Sequence, residues 1–146
     1  MARLLKKFAV LVLVVAGLSG VMNVANAALA IIGNPANPLE GISAADVAMI
    51  YLGKSDEFPD GQKVTAVDQY RHSPVRTAFY QKVVGMSQDR LKAYWSKVIF
   101  SGKGHPPREV GGNEAVKRWV ATHRDGLGYV DGKVLDHSVK VLLIVP

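Results

Sequence analysis

Ser73 stands where a short polar stretch meets a helix start, and the residues around it are those in this chain best suited to holding an anion. In Gln69-Tyr70-Arg71-His72-Ser73-Pro74-Val75-Arg76, Ser73 reads as an N-cap. Pro74 reads as the first helical residue, where its missing N–H costs nothing. A helix N-terminus carries roughly half a positive charge and points backbone N–H groups outward, which favours phosphate or sulfate. Arg71 and Arg76 flank the turn with full charges, and Gln69, Tyr70 and His72 add donors. The same pattern also describes a capped helix with solvated arginines.

Other chemistry has little support. His72, His105, His123 and His137 share no i, i+4 spacing, so surface histidines are expected rather than a metal site. Cysteine is absent, which excludes disulfides and thiolate ligands. Gly102-Lys103-Gly104 lacks the remainder of a phosphate-loop pattern and, with Pro106, Pro107 and Arg108, reads as an exposed loop that could meet a partner. No serine lies in a nucleophile elbow and no carboxylate pair is spaced for acid/base work. The expectation is a protein that is not an enzyme and has no cofactor.

Residues 1–27 read as a secretory signal peptide, with Arg3, Lys6 and Lys7 preceding an apolar run from Phe8 to Leu18, and Ala25-Asn26-Ala27 as the cleavage signal. An uncleaved anchor is the alternative, but the apolar run is shorter than the about 20 residues a membrane span needs. Cleavage would place residues 28–146 in the periplasm as a single domain. It would also remove three of the positive charges and lower the net charge from +6 to +3. The remaining excess is scattered without a basic run, so nucleic acid is not an expected partner.

The site must be positioned by alternating strands and helices. Ala28 to Ile32 reads as a buried strand ended by Gly33-Asn34-Pro35-Ala36-Asn37-Pro38. Ser43 caps a helix that Gly53 closes, Val64 to Val67 forms a second strand, and Asp68 to His72 reads as a polar loop. The helix opened by Ser73-Pro74 presents Val75, Phe79, Val83 and Val84 and stops at Gly85. Ser87 caps the next, with Leu91, Tyr94, Trp95, Val98 and Ile99 on its apolar face. Ser101 to Gly112 reads as the longest loop, Asn113 as the cap of a helix bearing Val116, Trp119 and Val120, and Leu127 to Val130 and Val139 to Val145 as strands. Trp95 and Trp119 are assigned to core packing. The pattern is an α/β layer fold with a mixed or mainly parallel sheet.

Four patches in this order resemble the phosphate-type substrate-binding proteins of ABC importers: Ile31 to Pro38; Ile50-Tyr51-Leu52-Gly53-Lys54 with Phe58-Pro59-Asp60-Gly61; Ser73-Pro74-Val75-Arg76 with Phe79; and Trp119 followed by Gly126-Leu127-Gly128-Tyr129-Val130. The resemblance implies one lobe of a type II periplasmic-binding-protein fold, the second lobe alone, with a mixed sheet flanked by helices. It implies phosphate or a similar oxyanion as a weak ligand at Ser73, Arg71, Arg76, Gln69 and His72, and a link to phosphate uptake or sensing. The family places an arginine, an acid and Gly-Ser-Gly-Thr here. By position this chain has Gln69 for the arginine, Arg71 for the acid, His72 and Pro74 for the glycines and Val75 for the threonine, with Ser73 alone matching. A second reading is a lobe that kept the fold, lost the ligand, and docks onto an envelope protein or a second copy of itself.

Overall fold

Every residue of the first strand, β1 (Leu29–Gly33), is buried, as expected where a strand is covered on both faces and needs no polar alternation. The computed structural model describes residues 28–146, and the expected signal peptide lies outside the described residues. After β1 the described chain runs α1 (Ala44–Tyr51), β2 (Thr65–Gln69), α2 (Pro74–Phe79) continued by a π-helical turn (Tyr80–Val84), α3 (Gln88–Phe100), β3 (Arg108–Gly111), α4 (Asn113–Thr122), β4 (Gly126–Asp131), a 3-10 turn (Gly132–Val134) and β5 (Lys140–Val145).

The strands form one five-stranded sheet in the order β3-β2-β4-β1-β5. β2 pairs parallel with β3 and β4, whereas β1 runs antiparallel to both β4 and β5. Four strands therefore share one direction and β1 runs against them.

The two faces are packed differently. Leu29 and Ile31 of β1 join Tyr51, Phe79, Tyr80, Trp95, Leu127 and Tyr129 in an aromatic-rich cluster under α1, α2 and α3. Ala30 and Ile32 face the other way, into a smaller cluster with Val67, Val116, Val120 and Val130 beneath α4. Gly128 permits that second contact, since a Cβ there would lie 2.5 Å from Val116 Cγ1. Lys117 on α4 is buried and donates to Asp136 Oδ2 at 2.8 Å and to the Val134 carbonyl at 2.8 Å. It ties α4 to the segment after β4. The Asp136 hydrogen bond raises the Lys117 ammonium above its ordinary range, and hydrogen bonds from Lys117 and Ser138 hold the Asp136 carboxyl below its own.

Several sequence expectations change. Asp68 and Gln69, read as loop, are the last residues of β2 and are buried. The stretch from Ser101 to Gly112 is not all loop, because Arg108–Gly111 adds an edge strand parallel to β2. Its Arg108 and Glu109 are exposed and disguise the pattern. Asn113 is not the cap of α4; Gly112 is, without a side-chain hydrogen bond, and the Asn113 side chain is used elsewhere. Ile99 lies at the margin of α3 and is exposed rather than packed. The caps at Ser43, Ser73 and Ser87 form as read, each accepting the N–H three residues on.

Candidate functional site

Parallel strands aim their C-terminal ends at one edge of the sheet, where ligands of open α/β folds characteristically bind. At that edge β2 ends in Asp68 and Gln69, the chain turns through Tyr70, Arg71 and His72, and α2 begins. The Tyr70 N–H donates to the Gly111 carbonyl at 2.9 Å, which joins the ends of β2 and β3. The Tyr70 ring lies beside Gly112, where a Cβ would stand 3.4 Å from its Cε1.

Beneath this edge lies a buried polar network. The Asp68 carboxylate is 1% exposed. Its Oδ2 accepts the Tyr80 hydroxyl at 2.6 Å and Arg76 Nε at 3.3 Å, and its Oδ1 accepts the Tyr129 hydroxyl. Burial, and then the charge of Asp68, push the hydroxyls of Tyr51, Tyr80 and Tyr129 well above the ordinary tyrosine range, so they remain donors. Tyr51 completes the layer, donating to the Val67 carbonyl at 2.8 Å. Phe79 stacks on Tyr129 with ring centroids 3.9 Å apart. A charge buried without such partners would be strongly disfavoured, and here two hydroxyls and a guanidinium replace its water.

Of the five side chains assigned to the anion site, three are engaged in this interior. Gln69 is 1% exposed; its Oε1 accepts the Ser73 hydroxyl at 2.6 Å, and its Nε2 donates to Asn113 Oδ1 at 2.8 Å and the Tyr129 carbonyl at 3.1 Å. Ser73 is buried, and its Oγ also accepts the Arg76 N–H at 3.2 Å. Arg76 pairs with Asp68, donates to Gln88 Oε1 and lies over the Tyr80 ring, its Cζ 4.9 Å from the centroid. Arg71 and His72 are exposed on the turn above. The structure thus brings Gln69, Ser73 and Arg76 together inward and leaves Arg71 and His72 at the rim.

Sequence reasoning missed Asp68, Tyr80 and Asn113 as members of this edge. An acid directly after the apolar Val64 to Val67, with Tyr80 one turn beyond Arg76 on the following helix, was the available signal. Among the described residues no group of three His, Asp or Glu side chains is placed to hold a metal ion. Two open cavities, of about 440 and 400 Å³, lie away from Ser73 and border Arg108. No helix of the described residues is long and apolar enough to cross a membrane.

A sheet of four like-directed strands with an inserted antiparallel strand, helices on both faces, and a capped turn at the end of β2 is one lobe of a type II periplasmic-binding-protein fold. Solved structures similar to it include proteins described as phosphate-transport receptors. One is described as a phosphate ABC transporter substrate-binding protein with bound phosphate from Clostridium perfringens, at a TM-score of 0.62 and 21% identity over 80% of this chain and 45% of that one. An ABC-type phosphate transport receptor from Vibrio cholerae matches at 0.62 and 22%, over 78% and 44%. PstS from Borrelia burgdorferi matches at 0.60 and 13%, over 79% and 46%. The chain spans less than half the length of each. No family model and no curated protein matches the sequence.

Proposed function

We propose that this chain is an exported, non-enzymatic solute-binding lobe that contacts phosphate or a similar oxyanion weakly, through the turn at Arg71 and His72. The observation that carries this reading is the placement of those two exposed residues at the C-terminal end of β2, in a lobe with the fold of phosphate receptors. The chemistry is charge attraction and donation from the rim. Gln69, Ser73 and Arg76 set the shape of the turn rather than grip the ion, because the Gln69 amide, the Ser73 hydroxyl and the Nε and Nη1 of Arg76 already have partners. Donors from this turn alone cannot replace the whole hydration shell of an oxyanion, so the affinity of this lobe by itself is low and its discrimination between phosphate and sulfate is small. Calorimetric titration with phosphate and with sulfate tests it. Binding in the millimolar range, weakened at least several-fold in Arg71→Ala, supports the reading, and no heat with either anion refutes it.

A second reading has its own observation. The engagement of three of the five candidate side chains within the protein suits a lobe whose anion site has been converted into structure and which acts as an envelope docking module or a self-associating half-cleft. Sedimentation with and without phosphate separates the two, since a dimer bridged by an anion requires the anion and a docking module does not.

A further inference from the structure

The charge left after residues 1–27 is not evenly distributed. Between Arg90 and Arg108 lie five cations, Arg90, Lys92, Lys97, Lys103 and Arg108, and no acid. No two are adjacent, so no basic run marks them. This stretch is α3 from its third residue, the turn that follows it and the first residue of β3, and it is bounded by Asp89 in the first turn of α3 and Glu109 in β3.

α3 is held rigidly from one side. Leu91 and Trp95 are buried, and the Tyr94 hydroxyl donates to the Leu52 carbonyl at 2.6 Å. At about 100° per residue, Phe100 falls opposite this anchored stripe, with Arg90 and Lys97 on one flank and Lys92 and Ile99 on the other. Phe100 is 96% exposed and Ile99 55% exposed. The helix then ends in a Schellman motif: the Gly102 N–H bonds the Ile99 carbonyl at 3.0 Å and the Lys103 N–H bonds the Val98 carbonyl at 3.2 Å, with Gly102 at φ 71°. That closure leaves Phe100 exposed in the last turn of the helix and turns the chain back at Gly102, with Lys103 exposed three residues on.

We infer that this end of α3 docks on an anionic phospholipid surface, with Phe100 and Ile99 inserted at the headgroup level and Lys92, Lys97 and Lys103 on the lipid phosphates. An aromatic ring exposed at the end of a helix fits a soft planar surface that it can indent. Lysine stems lie along apolar matter while their ammonium groups stay at the polar boundary. Complementarity of charge selects an anionic surface, since each cation held near one strengthens binding about fivefold, and no acid between Arg90 and Arg108 opposes it.

The test is flotation of residues 28–146, which contain the complete sheet and both apolar clusters, with phosphatidylglycerol-containing vesicles and with phosphatidylcholine vesicles. The apolar stretch before residue 28 would partition into bilayers by itself and is left out. Binding is expected to the anionic vesicles only, reduced about tenfold or more in Phe100→Ser and abolished in Lys97→Glu/Lys103→Glu and by 0.5 M salt. Circular dichroism should show all variants folded, because these side chains are exposed. No flotation, or flotation unchanged by Phe100→Ser, overturns the inference, as does a purified protein partner that needs Phe100 when the vesicles do not bind. Arg71→Ala should leave flotation unchanged, and Lys97→Glu/Lys103→Glu should leave the phosphate titration unchanged, so this inference and the oxyanion reading fail separately.

Discussion

Two sets of polar residues meet at the end of β2 and differ in what they face. Asp68, Gln69, Ser73 and Arg76 point into the protein, where hydroxyls, amides and a guanidinium occupy one another. Arg71 and His72, next to them in sequence, point to water. The contrast separates two properties that a motif joins: the residues that give a binding turn its shape, and those that remain available to a ligand. A turn can keep its cap and its place at the sheet edge while its donors are spent internally.

The comparison is broken most directly from the buried side. Asp68→Ala leaves two hydroxyls and the Arg76 guanidinium without their acceptor, and should destabilise the domain by about 3–5 kcal/mol, read by urea unfolding. A loss below about 1 kcal/mol would mean the network is not structural. Next in size, Gly128→Ala forces a Cβ against Val116 and Val120 of α4 and should cost about 1–3 kcal/mol. Tyr129→Phe removes one hydroxyl from the carboxylate and should cost about 1.5–3 kcal/mol while leaving the Phe79 stack in place.

The Lys117–Asp136 pair gives a smaller, pH-dependent effect. Asp136 titrates lower in the folded chain than in the unfolded one, so its contribution is fully present above the ordinary carboxylate pKa of about 3.9 and fades as pH falls below it. Unfolding curves at pH 6 and pH 3 should show a smaller advantage of the wild type over Asp136→Asn at the lower pH, because the contribution begins to fade below the ordinary carboxylate pKa and is lost fully only at still lower pH. A gap that does not shrink between pH 6 and pH 3 contradicts the linkage. Smallest of all, Arg71→Ala should change stability by no more than about 0.5 kcal/mol, because the side chain is exposed.

Much of the fold was legible in residue order. Serine caps, left-handed glycines and apolar periodicity marked α1, α2 and α3, since these depend on contacts a few residues apart. The end of β2 was not legible. Asp68 is polar by type and reads as loop, and only the tertiary placement of Tyr80 and Tyr129 makes its burial tolerable. β3 was hidden for a similar reason, because Arg108 and Glu109 suit an exposed edge that joins the sheet through one neighbour. Within the candidate site, sequence grouped Gln69, Arg71, His72, Ser73 and Arg76 along one turn, which lies between the end of β2 and the first turns of α2. It could not show which way each side chain points, because that depends on Asn113, Tyr129 and Gln88, which lie far along the chain or across the fold.

The division between an occupied interior and an available rim is tested most directly by nuclear magnetic resonance titration of the 15N-labelled domain with phosphate. The account predicts shifts at the amides of Tyr70, Arg71 and His72 that saturate in the millimolar range, with the Gln69 side-chain amide and the Tyr129 amide unmoved. Shifts at Gln69 and Tyr129, or no response at Arg71 and His72, would contradict it.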